Sequence, residues 1–278
     1  MPMRTRSSGR GALLAGVKTL CLAATICASL PVTALAGPAV HLKATLTPER
    51  LGQGTTIGFH FQIEASDGRV PPPLTGVGLL YPNNLGIALS GLGLETCSQA
   101  TLEALGASGC PADSVMGSGS ALAEVPIGPE GVTEGASITV LRAPDQEGHI
   151  ALFLYTESKT PVLSQLVLPS LLLPASPPFG GRLFINVPLV PTVPGGADVS
   201  VLQISSTLGP ENLTYTEVVH RRVVHYRPKG ILLPDRCPRG GFAFAATLSF
   251  LDGSHTSAHT TVPCPHRRQA PTGRRQHR

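Results

Sequence analysis

Four cysteines, two histidines, two acidic residues and a basic cluster are the side chains whose type and spacing suggest chemistry. Cys97 and Cys110 lie in ETCSQATLEALGASGCPADSVMGSGSA, residues 95–121, and Cys237 and Cys264 bracket a second stretch near the other end of the chain. A zinc site would need a C-x-x-C unit or a close histidine, and the nearest histidines to the first pair are His60 and His149. Disulfides remain. Of the six cysteines, Cys21 and Cys27 fall in residues 1–36, a segment expected to be removed; the other four allow three connectivities, of which proximity in sequence favours Cys97 with Cys110 and Cys237 with Cys264. In the first loop Ser98 is placed to cap a short helix, QATLEAL, and Gly106 to end it. The pair therefore reads as a clamp.

His255 and His259 stand at i and i+4, a metal-ligating spacing on a helix. On a strand the same four steps are about 13 Å, too far to share an ion, and the surrounding threonines point to a polar sheet face. Asp145 and Glu147 lack the alternating oxygen ligands of a calcium loop and read as a turn. No metal site and no cofactor are expected. HRRVVHYRPKG, residues 220–230, gathers Arg221, Arg222, Arg227 and Lys229 around Tyr226. These cations suit an anionic wall polymer or acidic glycan, or serve only to keep a hairpin tip wet. The Gly-Ser run MGSGSA has no helix behind it to cradle phosphate. The chain contains no G-x-S-x-G elbow, no phosphate-binding G-x-x-x-x-G-K loop and no H-E-x-x-H. No catalytic residue is assigned, and nucleic acid is not an expected partner.

The elements that must carry these residues are strands. With 31 Gly, 27 Pro and no Trp, the chain reads as short alternating runs divided by turn signals, among them TTIGFHFQIEA, TGVGLLY, SITVLRA, HIALFLYTE and DVSVLQISSTL. PDQEGH is a hairpin loop with Gly148 suited to the left-handed position, and HRRV marks another turn. In CPRGGFAFAATLSFLDGSHTSAHTTVPC, Asp252-Gly253 predicts a two-residue hairpin with Leu251 facing Ser254, its open end closed by Cys237 and Cys264. The expected fold is all-β, an antiparallel β-sandwich of Ig-like or jelly-roll-like form in two lobes, residues 37–130 and 131–265. VPIGPEGVTEG, residues 125–135, is the boundary between them. Proline-rich stretches such as VPPPLTG, LLLPASPPFGG and PLVPTVPGG are expected at edges and crossing loops. VLSQLVLPSLLLP is too short and proline-broken to span a bilayer, so no transmembrane span is expected after residue 36.

Residues 1–36 have the three parts of a secretory signal: Arg4, Arg6 and Arg10, then an apolar run, then Ala34-Leu35-Ala36 before Gly37. Loss of that segment removes four of the 21 basic residues, leaving 17 against 17 acidic ones. Residues 266–278 form a basic tail with no apolar periodicity, expected to be disordered.

The cysteine stretch together with APDQEGHIAL, LLLPASPPFGGRLFINVPLVP and RPKGILLPDRCPRGGFAFAATLSFLDGSHTSAHTTVPC resembles a family of secreted proteins of high-GC actinobacteria. The resemblance implies export and two disulfide clamps; it carries no activity. The expectation for function is an exported, non-catalytic module that binds or structures the extracellular or envelope space, with a cell-wall polymer or another envelope protein as partner. The alternatives are a secreted hydrolase whose site is assembled from distant strands and a small-ligand carrier, which would need a dry cavity.

Overall fold

The computed structural model describes residues 37–87, 91–127, 131–161 and 163–265. The expected signal segment and the basic tail lie outside them. In chain order the strands are β1 (Ala39–Thr47), β2 (Gly54–Glu64), β3 (Leu74–Pro82), β4 (Gly86–Ile87), β5 (Val115–Val125), β6 (Val132–Gln146), β7 (His149–Ser158) and β8 (Ser164–Pro174). There follow β9 (Phe179–Asn186), β10 (Ser200–Leu208), β11 (Tyr215–Val219), β12 (Arg222–Tyr226), β13 (Ile231–Leu232), β14 (Phe242–Phe250) and β15 (His255–Val262). Among the described residues one α-helix, α1 (Gln99–Leu105), and two 3-10 turns precede β5. The chain is all-β, as its alternating runs predict.

Thirteen strands form one antiparallel sheet in the order β15, β14, β3, β9, β8, β7, β6, β5, β10, β2, β13, β4, with β1 on β2. β1 and β15 come alongside each other, so the sheet nearly closes into a barrel. A side-chain bond crosses this seam, Thr256 Oγ1 donating to the Pro38 carbonyl at 2.8 Å. The stretch expected to separate two lobes, residues 125–135, runs from the last residue of β5 into the first residues of β6. These strands pair from Val125 opposite Val132 to Val115 opposite Leu141. Proline and glycine are needed there to reverse the chain, a requirement that a hairpin and a domain linker share.

Period-2 alternation runs round the whole sheet. Phe59 and Phe61 of β2, Val77 and Leu79 of β3, Leu183 and Ile185 of β9, and Phe242, Phe244 and Leu248 of β14 all face the interior cluster. Phe244 packs edge-on to Phe59 at 5.6 Å between ring centroids. On β6 and β7 the opposite face is also buried: Leu141, Ala143, Ala151, Phe153 and Tyr155 receive Leu102 of α1 and Cys97.

β8 contains a proline in its interior. Pro169 is inside the strand, opposite Phe153 of β7. β9 pairs with β8 only from Ser170 onward, so at Pro169 the strand has a ladder neighbour on one side alone, an edge-like place that tolerates a missing N–H.

The β14–β15 hairpin is corrected by one residue. Ser249 faces His255 and Ala246 faces Ala258, and the turn takes three residues, 251–253, instead of two. Gly253 adopts φ +81° and donates to the Phe250 carbonyl at 3.0 Å. A type I turn closed by a left-handed glycine uses the same Asp-Gly signal as the shorter turn, and the register follows from it.

Candidate functional site

Five connections gather at one end of the barrel, through the described residues 65–73, 126–127 with 131, 159–161 with 163, 187–199 and 251–253. Both disulfides, α1 and the β11–β12 ribbon belong to the opposite end. Cys97 and Cys110 are joined with Cα atoms 5.3 Å apart, and Cys237 and Cys264 with Cα atoms 5.9 Å apart, in the pairing that proximity favours. Ser98 Oγ accepts from the Thr101 N–H at 3.1 Å. The Gly106 N–H returns to the Leu102 carbonyl at 2.9 Å. The first clamp thus holds a capped helix whose Leu102 plugs the outer face of β6 and β7.

The remaining sequence candidates are scattered over the outside. His255 and His259 occupy outward positions of β15, and the His255 imidazole Nδ1 lies 3.0 Å from Ser249 Oγ. Asp145 accepts from Arg142 Nη2 at 2.7 Å, and the nearly buried Arg142 also donates to the Gly93 carbonyl at 3.3 Å. Glu147 and Gly148 form the β6–β7 turn, both with positive φ. Arg221 shares the β11–β12 turn with His220, and Arg222 starts β12; Arg227 and Lys229 follow, all four exposed. The ribbon's root is fixed by Tyr215, whose hydroxyl donates to the Val115 carbonyl at 2.6 Å and accepts from the Gly93 N–H at 2.8 Å. Burial pushes this hydroxyl's pKa up to about 12.

The interior holds what the motif search missed. Beneath the 187–199 connection lies a cavity of about 160 Å³ between β2, β3, β5, β6, β7, β8, β9 and β10. Its wall is apolar: Phe61, Val77, Leu79, Ile138, Leu154, Leu166, Leu168, Ile185, Val201 and Ile204 all contribute. Small side chains make the space. Ala121 and Ala123 of β5 and Ala136 of β6 occupy inward positions that the other strands fill with Leu, Ile or Phe. At the loop-bearing end Glu134, Ser158 and Ser164 add the polar part of the lining, with Ser158 Oγ donating to Ser164 Oγ at 3.3 Å. A second, separate cavity of about 40 Å³ lies toward the clamped end, lined by Leu79, which borders both, and by Phe59, Leu152 and Ile231.

No family model, curated protein or solved structure matches this chain.

A barrel's diameter grows with its strand number, and about eight strands is the width that side chains alone fill. Here eleven long strands enclose a lumen furnished by a chain with 8 Phe and no Trp. The scarcity of large aromatic side chains is consistent with the unfilled space. Residues 117–121 belong to strand β5, and a side chain on Gly117 would overlap the Thr207 carbonyl oxygen of β10. The signal for the cavity is in this segment, where inward positions 117, 119, 121 and 123 are Gly or Ala throughout.

Proposed function

We propose that the protein is an exported, non-catalytic carrier that holds a small apolar molecule, or the apolar part of a larger one, inside the barrel. The cavity is the observation that supports this. At about 24 cal/mol per Å³, leaving 160 Å³ unfilled costs on the order of 4 kcal/mol against a packed core, a large part of a domain's stability. An apolar ligand recovers that cost. A cavity of this volume takes a benzene-sized group, and the separate 40 Å³ cavity lies beyond Leu79.

This reading takes the nearly closed sheet as one compartment in place of two sandwich lobes, because β5 and β6 pair along their length across residues 125–135. It places the site away from the basic cluster, on the other side of the barrel. It also favours carriage over hydrolysis: the described cavity lining sets its serines, Ser158, Ser164 and Ser206, beside one carboxylate, Glu134, and no histidine to serve as their base. Export rests on the signal-like residues 1–36 and on the two disulfides.

The test is calorimetric titration of the purified protein with benzene and n-hexane. Saturable binding at one site, with a negative heat-capacity change, is expected for burial of apolar surface. Absence of saturable heat up to the aqueous solubility of both would reject the carrier reading.

A further inference from the structure

Five polar side chains line the larger cavity, Glu134, Thr156, Ser158, Ser164 and Ser206. Three of them come together through the strand register. Across four strands the cavity-facing residues form one row: Ala121 of β5 is opposite Ala136 of β6, Ala136 is opposite Ser158 of β7, and Ser158 is opposite Ser164 of β8. Glu134 stands two residues before Ala136 on the same face of β6, opposite Ala123. That makes it the diagonal neighbour of Ser158, a separation of about 7–8 Å that a long side chain spans. Glu134 is 6 % exposed and Ser158 7 %, so both are held away from bulk water. Among the described residues that line the cavity none is Lys, Arg or His.

We propose that the ligand of this cavity is a small primary amine, its apolar body in the space left by Ala121, Ala123 and Ala136 and its ammonium head against Glu134, Ser158 and Ser164. The proposal rests on the carrier reading and adds the head group to it. An ammonium group carries three donors and no acceptor, while a carboxylate only accepts and each serine hydroxyl has lone pairs beside its own proton. The two oxygens of Glu134 offer about four acceptor sites, which leaves room for a ligand's donors alongside bonds within the protein. Bonds of this charge-assisted kind are the strong ones, and the ammonium needs all of them to offset the water it gives up.

The other head groups fit less well. A carboxylate or phosphate head would set a second negative charge against Glu134, with no cation in the described lining to offset it. A hydrocarbon of the same size fills the apolar part and gains nothing from Glu134. The volume of about 160 Å³ limits the body to a benzene ring or a chain of similar bulk.

The experiment is calorimetric titration at neutral pH with three ligands of one shape, benzylamine, toluene and benzoate. Benzylamine should bind at one site about ten-fold or more tightly than toluene, and benzoate about ten-fold or more weakly than toluene. Toluene should displace benzylamine. Glu134→Gln keeps the shape and removes the charge, so benzylamine should come within about three-fold of toluene while toluene binds as to the parent. If that variant melts well below the parent, Ser164→Ala at a half-buried position takes its place, with benzylamine weakened about five-fold and toluene unchanged. Toluene binding with no preference for benzylamine, a preference that survives the substitution, or benzoate bound as tightly as benzylamine would overturn the amine and leave the carrier reading standing. Benzylamine that toluene does not displace would lie outside the lumen and would overturn it equally. Binding of none of the three would reject the carrier reading and the amine together.

Discussion

Tyr215 and Val115, one hundred positions apart in sequence, are joined by a hydroxyl-to-carbonyl hydrogen bond of 2.6 Å at the clamped end of the barrel. The same oxygen accepts from Gly93, so one phenol ties the root of the β11–β12 ribbon to the start of β5 and to the segment before α1. An isolated two-stranded ribbon is marginal in water; this one is held by its base.

Tyr215→Phe should therefore destabilise the protein by about 1–3 kcal/mol, since the Gly93 N–H and the Val115 carbonyl lose a buried partner together. Chemical denaturation should show a lower midpoint with the slope unchanged. A midpoint within error of the parent would mean that water replaces the phenol.

The tyrosines also make stability depend on alkaline pH. Burial raises the pKa of Tyr215 to about 12, and it raises Tyr81, Tyr155 and Tyr226 above their ordinary value as well. The unfolded chain ionises near pH 10 while the folded one holds its protons. Stability is therefore complete below pH 10 and is lost as pH rises from 10 toward 12. Absorbance at the tyrosinate band should show less ionisation of the native protein at pH 10 than of the unfolded protein, which is about half ionised there. Coincident native and unfolded titration curves would contradict the burial.

Removing the first clamp should act locally. Cys97→Ala with Cys110→Ala frees a loop whose ends are 13 residues apart, a loss of about 3 kcal/mol by loop-closure entropy. The exposed consequence is release of Leu102 from Phe153 and Tyr155 on the outer face of β7. Hydrogen exchange should quicken in α1 while β2, β3 and β14 keep their protection. Uniform loss of protection would show that the clamp supports the barrel as a whole.

The strands were legible because alternation is local. The runs 149–157 and 198–208 coincide with β7 and β10 to within a residue or two at each end. The closure of the sheet was not, since a sandwich and a barrel impose the same period-2 pattern. They differ in long-range neighbours, β3 with β14, β2 with β10 and β1 beside β15, which no local pattern names. The Asp252-Gly253 turn was visible but not its length. That single residue decides whether His255 and His259 share a face with Phe244 or, as observed, lie opposite to it. The clamps were visible because Cys97 and Cys110, and Cys237 and Cys264, each lie close in sequence. The cavity was hidden because Ala121, Ala136 and Ser206 are unremarkable alone and meet only when three strands are assembled.

The basic ribbon offers a separate test of wall binding. Arg221 and Arg222 are exposed, and changing both to Ala should leave the melting temperature nearly unchanged. If they hold an anionic polymer, retention on isolated cell wall should fall and should be salt-sensitive in the parent. The comparison needs proteins with and without residues 266–278, whose arginines act in the same sense. Retention unchanged in both forms, and insensitive to salt, would leave the ribbon without a binding role.

Filling the cavity should separate binding from folding. Ala136 faces the lumen from β6, next to Ala121 on β5, with Ile138 and Leu154 close by. Ala136→Leu adds three carbons to a space of about 160 Å³, so the new side chain has room without displacing its neighbours. Each buried methylene contributes about 0.8 kcal/mol, which sets an expected gain of about 1–2 kcal/mol after the loss of leucine's rotamer freedom. The variant should melt higher than the parent in the absence of ligand. It should also bind benzene and n-hexane at least ten-fold more weakly, because the ligand and the leucine compete for the same volume. The two signs are opposed: a substitution that merely damaged the barrel would lower both stability and affinity, and one at an already packed position would lower stability by overpacking. A rise in stability with a fall in affinity is the signature of a site that the natural sequence keeps empty, and a fall in stability would show that the space at Ala136 is already taken.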